Sequence, residues 1–310
     1  MICCLASAAC PLRDTAAPLA ACGGRKGIRA VYDAGIDLGH YGEVDQLAPA
    51  GAMAEFTAYV RRQSEEEAEA AFAPLRQAAR SRGVEMRLHV VYVWTHDSFR
   101  VGEDGPTHQP VEHEAQIRLM EHLRNHHDER SMLVLRPADG DETVMAWKLA
   151  VEEHRPVALV LSRQNIKTLP TLGAIRREEA AQVAKGGYVV MDAAKPAAVL
   201  IATGSEVATL VEGAELLAAE GIPVRVVNVP SEGLFRDQPR SYQESVLPAG
   251  VARYGMTSGL PVNLRGLVGE NGVIHGLDHF GWSAPYKVLD EKFGYNGATV
   301  AAEVKKMLGK

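Results

Sequence analysis

An α/β protein with two parallel or mostly parallel sheets, helices on both faces, is predicted from three observations. Apolar, β-branched runs of strand length alternate with stretches of helical periodicity from residue 88 onward. Several of those runs, such as "VALVL" and "AAVLIA", are apolar at every position, which marks strands covered on both faces. Glycine and proline stand at the breaks, as in "EGIPVRVV", where Gly221 stops a helix and Pro223 prevents its continuation.

The elements follow in order. Residues 1–52, rich in Ala, Gly, Pro and Asp with weak periodicity, are expected to form a poorly ordered leader. Residues 53–87 contain Phe56, Tyr59, Val60, Ala68, Ala71, Phe72 and Leu75 at helical spacing, which predicts an amphipathic helix broken near Pro74. Residues 88–172 read as a first α/β domain. "RLHVVYVW" is a strand, Glu114–Arg124 a helix, "SMLVLRPAD" a strand, "DETVMAWKLAVEE" a helix capped by Asp139 or Asp141, and "VALVLSRQN" a third strand. "LPTLGAIRREEAAQVAKGG" reads as a linker. Residues 173–310 then form a second α/β domain that opens on strand, turn, helix and strand in "AAVLIATGSEVATLVEGAELLAAEGIPVRVVNV". Short strands near Val251–Tyr254 and Val273–Gly276 and a helix near Ala298–Leu308 complete it.

Composition narrows the function classes. A net charge of −6 provides no basic footprint for nucleic acid. No apolar run reaches the roughly 20 residues that span a bilayer. The four cysteines, Cys3, Cys4, Cys10 and Cys22, all precede residue 23, so the folded body needs no disulfide, which fits a reducing, cytoplasmic setting. Cys3 and Cys4 lack zinc-site spacing.

The densest chemistry is "THDSFRVGEDGPTHQPVEHEAQ", directly after the first strand. Ligands of open parallel sheets bind at the carboxyl ends of strands, and "THDS", "RPAD" and "SRQN" all sit there. Gly102, Gly105 and Pro106 predict a constrained loop that aims Asp104 and His108. A zinc helix needs histidines four apart on one face; His108 and His113 are five apart with Pro110 between them, so no metal ligand is assigned. His126 and His127 read as surface residues. "TGSEVATL" has a phosphate-turn flavour but lacks the glycine spacing and the lysine, so Ser205 is expected to be a plain N-cap.

Taken together with "LVLRPADGDET", "LVLSRQN" and "VLPAGVARYGM…HGLDHFGWSAPYKVLDEKFG", the quoted loop resembles the carboxyl-terminal half of transketolase over about Leu88–Lys310. "GEDGPTHQP" is highly specific to that family. The resemblance implies transfer of a two-carbon ketol unit between sugar phosphates of the pentose phosphate pathway, with thiamine diphosphate and magnesium or calcium as cofactors. It implies that His96 and Arg163 bind the phosphate, that Asp104 hydrogen-bonds a substrate hydroxyl, and that His108 stands beside the reacting carbons as the catalytic proton-transfer partner. The residue types suit those roles. Arginine presents a bidentate fork to phosphate, and imidazole is the side chain suited to proton transfer near neutrality. His279 is expected to be structural.

The cofactor side does not follow from this sequence. The family's Gly-Asp-Gly diphosphate motif is absent, and residues 1–87 show no counterpart to the activating glutamate or the aromatic stack. Cofactor-binding residues are therefore unassigned. Two expectations stand: a transketolase that works as a homodimer or beside a partner chain carrying the diphosphate-binding domain, or a non-catalytic remnant that keeps the fold and a binding surface. Alone, the chain is expected neither to bind thiamine diphosphate tightly nor to transfer ketol units.

Overall fold

The structure is a computed structural model that describes residues 90–124, 128–173 and 175–310, with the backbone of Leu5–Ala6. The expected leader, the helix at residues 53–87, the four cysteines, and His126 and His127 lie outside the described residues. Val90–Lys310 falls within one compact unit.

The first sheet runs β1-β2-β4-β3, with β1 at Leu5–Ala6, β2 at Val90–Trp94, β3 at Leu133–Leu135 and β4 at Val157–Val160. β2 and β3 both lie parallel to β4, in registers that set Trp94 opposite Val160 and Leu135 opposite Leu159. The connecting helices are α1, His113–His122, and α2, Gly140–Glu152. Asp139 caps α2, its carboxylate accepting from Glu142 N at 2.9 Å, which satisfies one of the otherwise unpaired amides of the first turn.

The expected linker is more ordered than its polar composition suggests. It contains α3, Arg176–Ala180, and a 3-10 turn at Ala181–Lys185, with Arg176, Glu179 and Val183 buried. The cause is a buried polar cluster. Arg176 pairs with Asp139 (2.6 Å) and Glu142 (2.7 Å) of the first half, and Glu142 also accepts from Tyr188 Oη and Asn228 Nδ2 of the second. Burial pushes the Glu142 carboxyl above its ordinary range, although Tyr188, the Ala138 amide and Arg176 oppose the shift. A charged helix with these partners folds onto the body instead of looping into water.

The second sheet runs β5-β7-β6-β8-β9: Tyr188–Met191, Val224–Asn228, Ala198–Ala202, Ala252–Met256 and Val273–His275. All pairs are parallel except β5 with β7. β5 was hidden in sequence because it is an edge strand that follows a linker without a helix-length crossover. The remaining helices are α4 (Glu206–Ala219), α5 (Glu232–Arg236), α6 (Arg240–Val246), α7 (Val262–Val268), α8 (Tyr286–Phe293) and α9 (Gly297–Met307).

The central strand β6 shows why its run is apolar throughout. Ala198, Leu200 and Ala202 face one core cluster, and Val199 and Ile201 face another on the opposite side. The first cluster continues through Leu210, Val224 and Val300 into Val91, Leu135 and Leu159 of the first sheet, so apolar packing is shared between the two halves. No helix among the described residues is long and apolar enough to cross a membrane.

Candidate functional site

The carboxyl edge of the first sheet gathers the expected residues in pairs. His96 stands two residues past the end of β2, and Arg163 stands three past the end of β4, its parallel neighbour. Both side chains are exposed. Arg163 has no ion-pair partner among the described residues, so its guanidinium fork is open to an anion. Thr95 Oγ1 lies 2.9 Å from His96 Nδ1, leaving Nε2 as the outward nitrogen.

Asp104 and His108 come from the loop that continues the same strand. Ser98 begins a 3-10 turn, Phe99–Asp104, and its hydroxyl accepts from Arg100 N at 3.4 Å. Gly102 interrupts the turn at φ 84°, and Gly105 closes it at φ 79°; both conformations favour glycine. His108 N then donates to Gly105 O at 3.1 Å. Thr107 Oγ1 sits 2.9 Å from His108 Nδ1, the same local arrangement as Thr95 with His96. Asp104 and His108 are both exposed, as binding groups must be. No hydrogen bond joins the four side chains to one another among the described residues.

Beneath this exposed edge lies a network that sequence reasoning missed. Arg136, at the end of β3 and 0% exposed, donates to Asp97 Oδ2 from Nη2 at 2.7 Å and from Nε at 3.1 Å. Ser162 Oγ, at the end of β4, donates to the same oxygen at 3.0 Å. "THDS", "RPAD" and "SRQN" are thus tied together at one carboxylate. Arg136 Nη1 also reaches Glu206 Oε2 (2.5 Å) and the Thr203 carbonyl (2.8 Å) of the second sheet's edge. Arg100 pairs with Glu206 and with Asp290 (2.6 Å). Burial alone would lower Arg136, but Glu206, Glu114 and Asp97 outweigh it and hold the guanidinium well above its usual range. Burial likewise pushes Glu206 up, and the Arg136 and Arg100 charges override it, so the carboxyl is held below its usual range.

This network corrects the reading of Ser205. It occupies the N-cap position of α4 but makes no capping bond. Its hydroxyl instead donates to Glu206 Oε1 at 3.0 Å and accepts from Arg100 at 3.2 Å. The available signal was a polar residue after each of three apolar strands; periodicity could not say which of them turn inward. His279 is exposed, with Nδ1 2.8 Å from the carbonyl of Phe280 and its ring edge-on to Phe293.

The donor set for a metal is different. Among the described residues, no group of three His, Cys, Asp or Glu side chains could hold a metal ion. The described residues by themselves therefore offer no such cluster to hold the magnesium of a diphosphate cofactor.

Known proteins are similar to this chain in sequence and fold. Residues 68–168 match the model of the transketolase pyrimidine-binding domain, and residues 186–296 match that of the transketolase-like C-terminal domain. The chain belongs to the transketolase family. A plasmid-encoded transketolase of Cupriavidus necator is 46% identical over 72% of this chain and 32% of its own length. Transketolase 1 of Escherichia coli is 43% identical over the same shares. The chain spans about a third of the length of these curated relatives. Among solved structures, a Leishmania mexicana transketolase aligns with a TM-score of 0.61 at 37% identity, covering 70% of this chain and 30% of that one. A Pichia stipitis transketolase in complex with sedoheptulose-7-phosphate aligns with a TM-score of 0.61 at 34% identity and the same coverage. A split-gene transketolase solved as an inactive beta4 tetramer shares the fold, with a TM-score of 0.50 at 24% identity.

Proposed function

We propose that this chain supplies the substrate side of a transketolase-type ketol transfer, with the diphosphate-binding side coming from a further chain. The observation that carries the reading is the placement of His96 and Arg163 at neighbouring parallel strand ends, with the Asp104–His108 loop continuing from one of them. The sugar phosphate named with the Pichia stipitis relative belongs to the class of ligand this edge would take. Arg163 offers two parallel N–H donors to phosphate oxygens, and His96 adds a third donor from the adjacent strand. Asp104 accepts from a substrate hydroxyl and so discriminates configuration. His108 holds or moves a proton at the reacting oxygen, its outward nitrogen being Nε2 while Thr107 engages Nδ1.

The reading divides the chain into a pyrimidine-binding-like part at 88–172 and a C-terminal-like part at 173–310, in a homodimer or beside a partner chain. Thiamine diphosphate would supply the carbanion chemistry when bound. The lack of a metal donor set among the described residues is shared with a second reading, a remnant that keeps the fold and the phosphate-binding edge. Calorimetry with thiamine diphosphate and magnesium, then a coupled ketol-transfer assay with and without a chain carrying the diphosphate-binding domain, separates the two. Activity only with the added chain supports the split enzyme. Sugar-phosphate binding without turnover in either mixture supports the remnant, and tight cofactor binding with turnover by the chain alone overturns both.

A further inference from the structure

The loop that carries Asp104 and His108 is held from the second half of the molecule. Gln109, 4% exposed, directly follows His108. Its Nε2 donates to Gly102 O at 2.9 Å and to Trp282 O at 2.8 Å, so one side chain both closes the loop and pins it to the segment before α8. A second tie is Ser283 Oγ, which donates to Glu103 O at 2.6 Å. A third is the ion pair of Arg100 with Asp290 on α8, flanked by Phe99 against Phe293 and Tyr295.

Glycines let the two segments approach. A Cβ on Gly281 would stand 2.7 Å from Gln109 Cδ and closer still to Oε1. A Cβ on Gly105 would meet that of Ser283 at 3.4 Å. The amide side chain of Gln109 therefore has one place to lie, against Gly281 and between two carbonyls. The bonds at the Trp282 carbonyl and the Ser283 hydroxyl make this segment of the second half adjoin the candidate loop, with the side chains of His279, Phe280 and Trp282 exposed beside it.

We propose that Gln109, seated against Gly281–Ser283, is a positioning residue through which the second half sets where Asp104 and His108 stand. The proposal rests on the reading of those two residues as substrate-side groups. It gives the C-terminal-like half a part in the site without contact to substrate. Neighbouring peptide geometry transmits the effect in two steps: Gly105 N donates at 3.1 Å to the Gly102 carbonyl that Gln109 holds, and His108 N donates at 3.1 Å to the Gly105 carbonyl.

The test uses the full chain with Gln109→Leu, which leaves an apolar side chain that cannot donate, and with Gly281→Ala, which displaces the amide. Amide hydrogen exchange is read at Gly105 and His108, with Ile201 and Val227 as core references. Exchange at the two loop amides should rise about tenfold in each variant while the core references stay unchanged. Unchanged loop amides in Gln109→Leu, or an equal rise in loop and core, would overturn the proposal. Should Gly281→Ala destabilise the whole fold, the Gly281→Ala, Gln109→Ala double variant removes the collision. It should recover core protection but leave the loop fast; a slow loop there counts against the clamp. These readouts need no substrate, so they stand or fall separately from sugar-phosphate binding by the unaltered chain. In the assembled enzyme, Gln109→Leu should lower kcat through His108 and raise KM modestly through Asp104, the Arg163 contact being untouched; an unchanged kcat would contradict a positioning role at His108.

Discussion

The exposed carboxyl edge and the buried network beneath it are made of alternate residues of the same short segments. His96 faces solvent while Asp97 is buried against Arg136; Arg163 faces solvent while Ser162 reaches down to the same Asp97. The upper groups make few internal bonds and are free for a ligand. The lower groups are tied together, with Asp97 Oδ2 accepting from Arg136 and Ser162, and they anchor the segments that carry the upper ones. Exposed candidate groups and buried ties are thus separated by a single peptide step, which follows from side chains alternating direction as extended backbone leaves a strand.

The largest break in that comparison should come from Arg136→Ala. It leaves Asp97 and Glu206 buried without their cation, and losing one partner of a buried ion pair costs about 3–5 kcal/mol. Urea denaturation would measure the loss; a cost below about 1 kcal/mol would show that water reaches the network.

Arg163→Ala should do the reverse. Stability should stay within about 0.5 kcal/mol, while removal of a charge-assisted phosphate contact should weaken sugar-phosphate binding by about 1.5–3 kcal/mol, roughly tenfold to a hundredfold. Nuclear magnetic resonance titration of the full chain checks the second part. A substantial fall in thermal stability would place Arg163 with the buried set.

A smaller effect tests a half-buried pair away from the edge. His275 lies 3.2 Å from Glu303, and its other ring nitrogen is 2.9 Å from the Phe293 carbonyl. Burial alone would lower His275, but the Glu303 hydrogen bond and charge and the Phe293 carbonyl raise it above its ordinary value. Glu303 is lowered, first by its hydrogen bond with His275, with further help from Tyr254. The raised histidine contributes stability that is full below about pH 6.5 and is lost as pH rises through its folded value. The lowered carboxyl contributes stability that is full above about pH 4.3 and is lost as pH falls through its folded value. His275→Gln should therefore cost about 1–2 kcal/mol near pH 5.5, and less as the pH climbs past neutrality. Denaturation midpoints of both proteins across that range give the curve; parallel curves would rule out a charged His275.

The smallest effect should be at Lys167, exposed and paired with Glu212. Lys167→Ala should change stability by less than about 0.5 kcal/mol, because surface pairs are screened and entropically costly. A larger loss by thermal melting would mean that surface pairs help to hold the two halves together.

The sequence by itself determined the layered α/β class, because doubly apolar strands and helical periodicity leave few other ways to bury their side chains. It also determined the content of the candidate edge, since "THDS", "GEDGPTHQP" and "SRQN" are local, and residues past strand ends lie on one edge of a parallel sheet whatever the details. The tertiary structure alone decided which polar residues turn inward. Asp97, Arg136, Ser205 and Glu206 read as ordinary strand-end or capping residues until partners up to 122 positions away, as with Arg136 and Ser258, come together. It also decided that the linker would fold as α3 and that Gln109 would lie between two carbonyls. Ion pairing and close approach depend on distances between segments remote in sequence, and neither periodicity nor residue type encodes those distances.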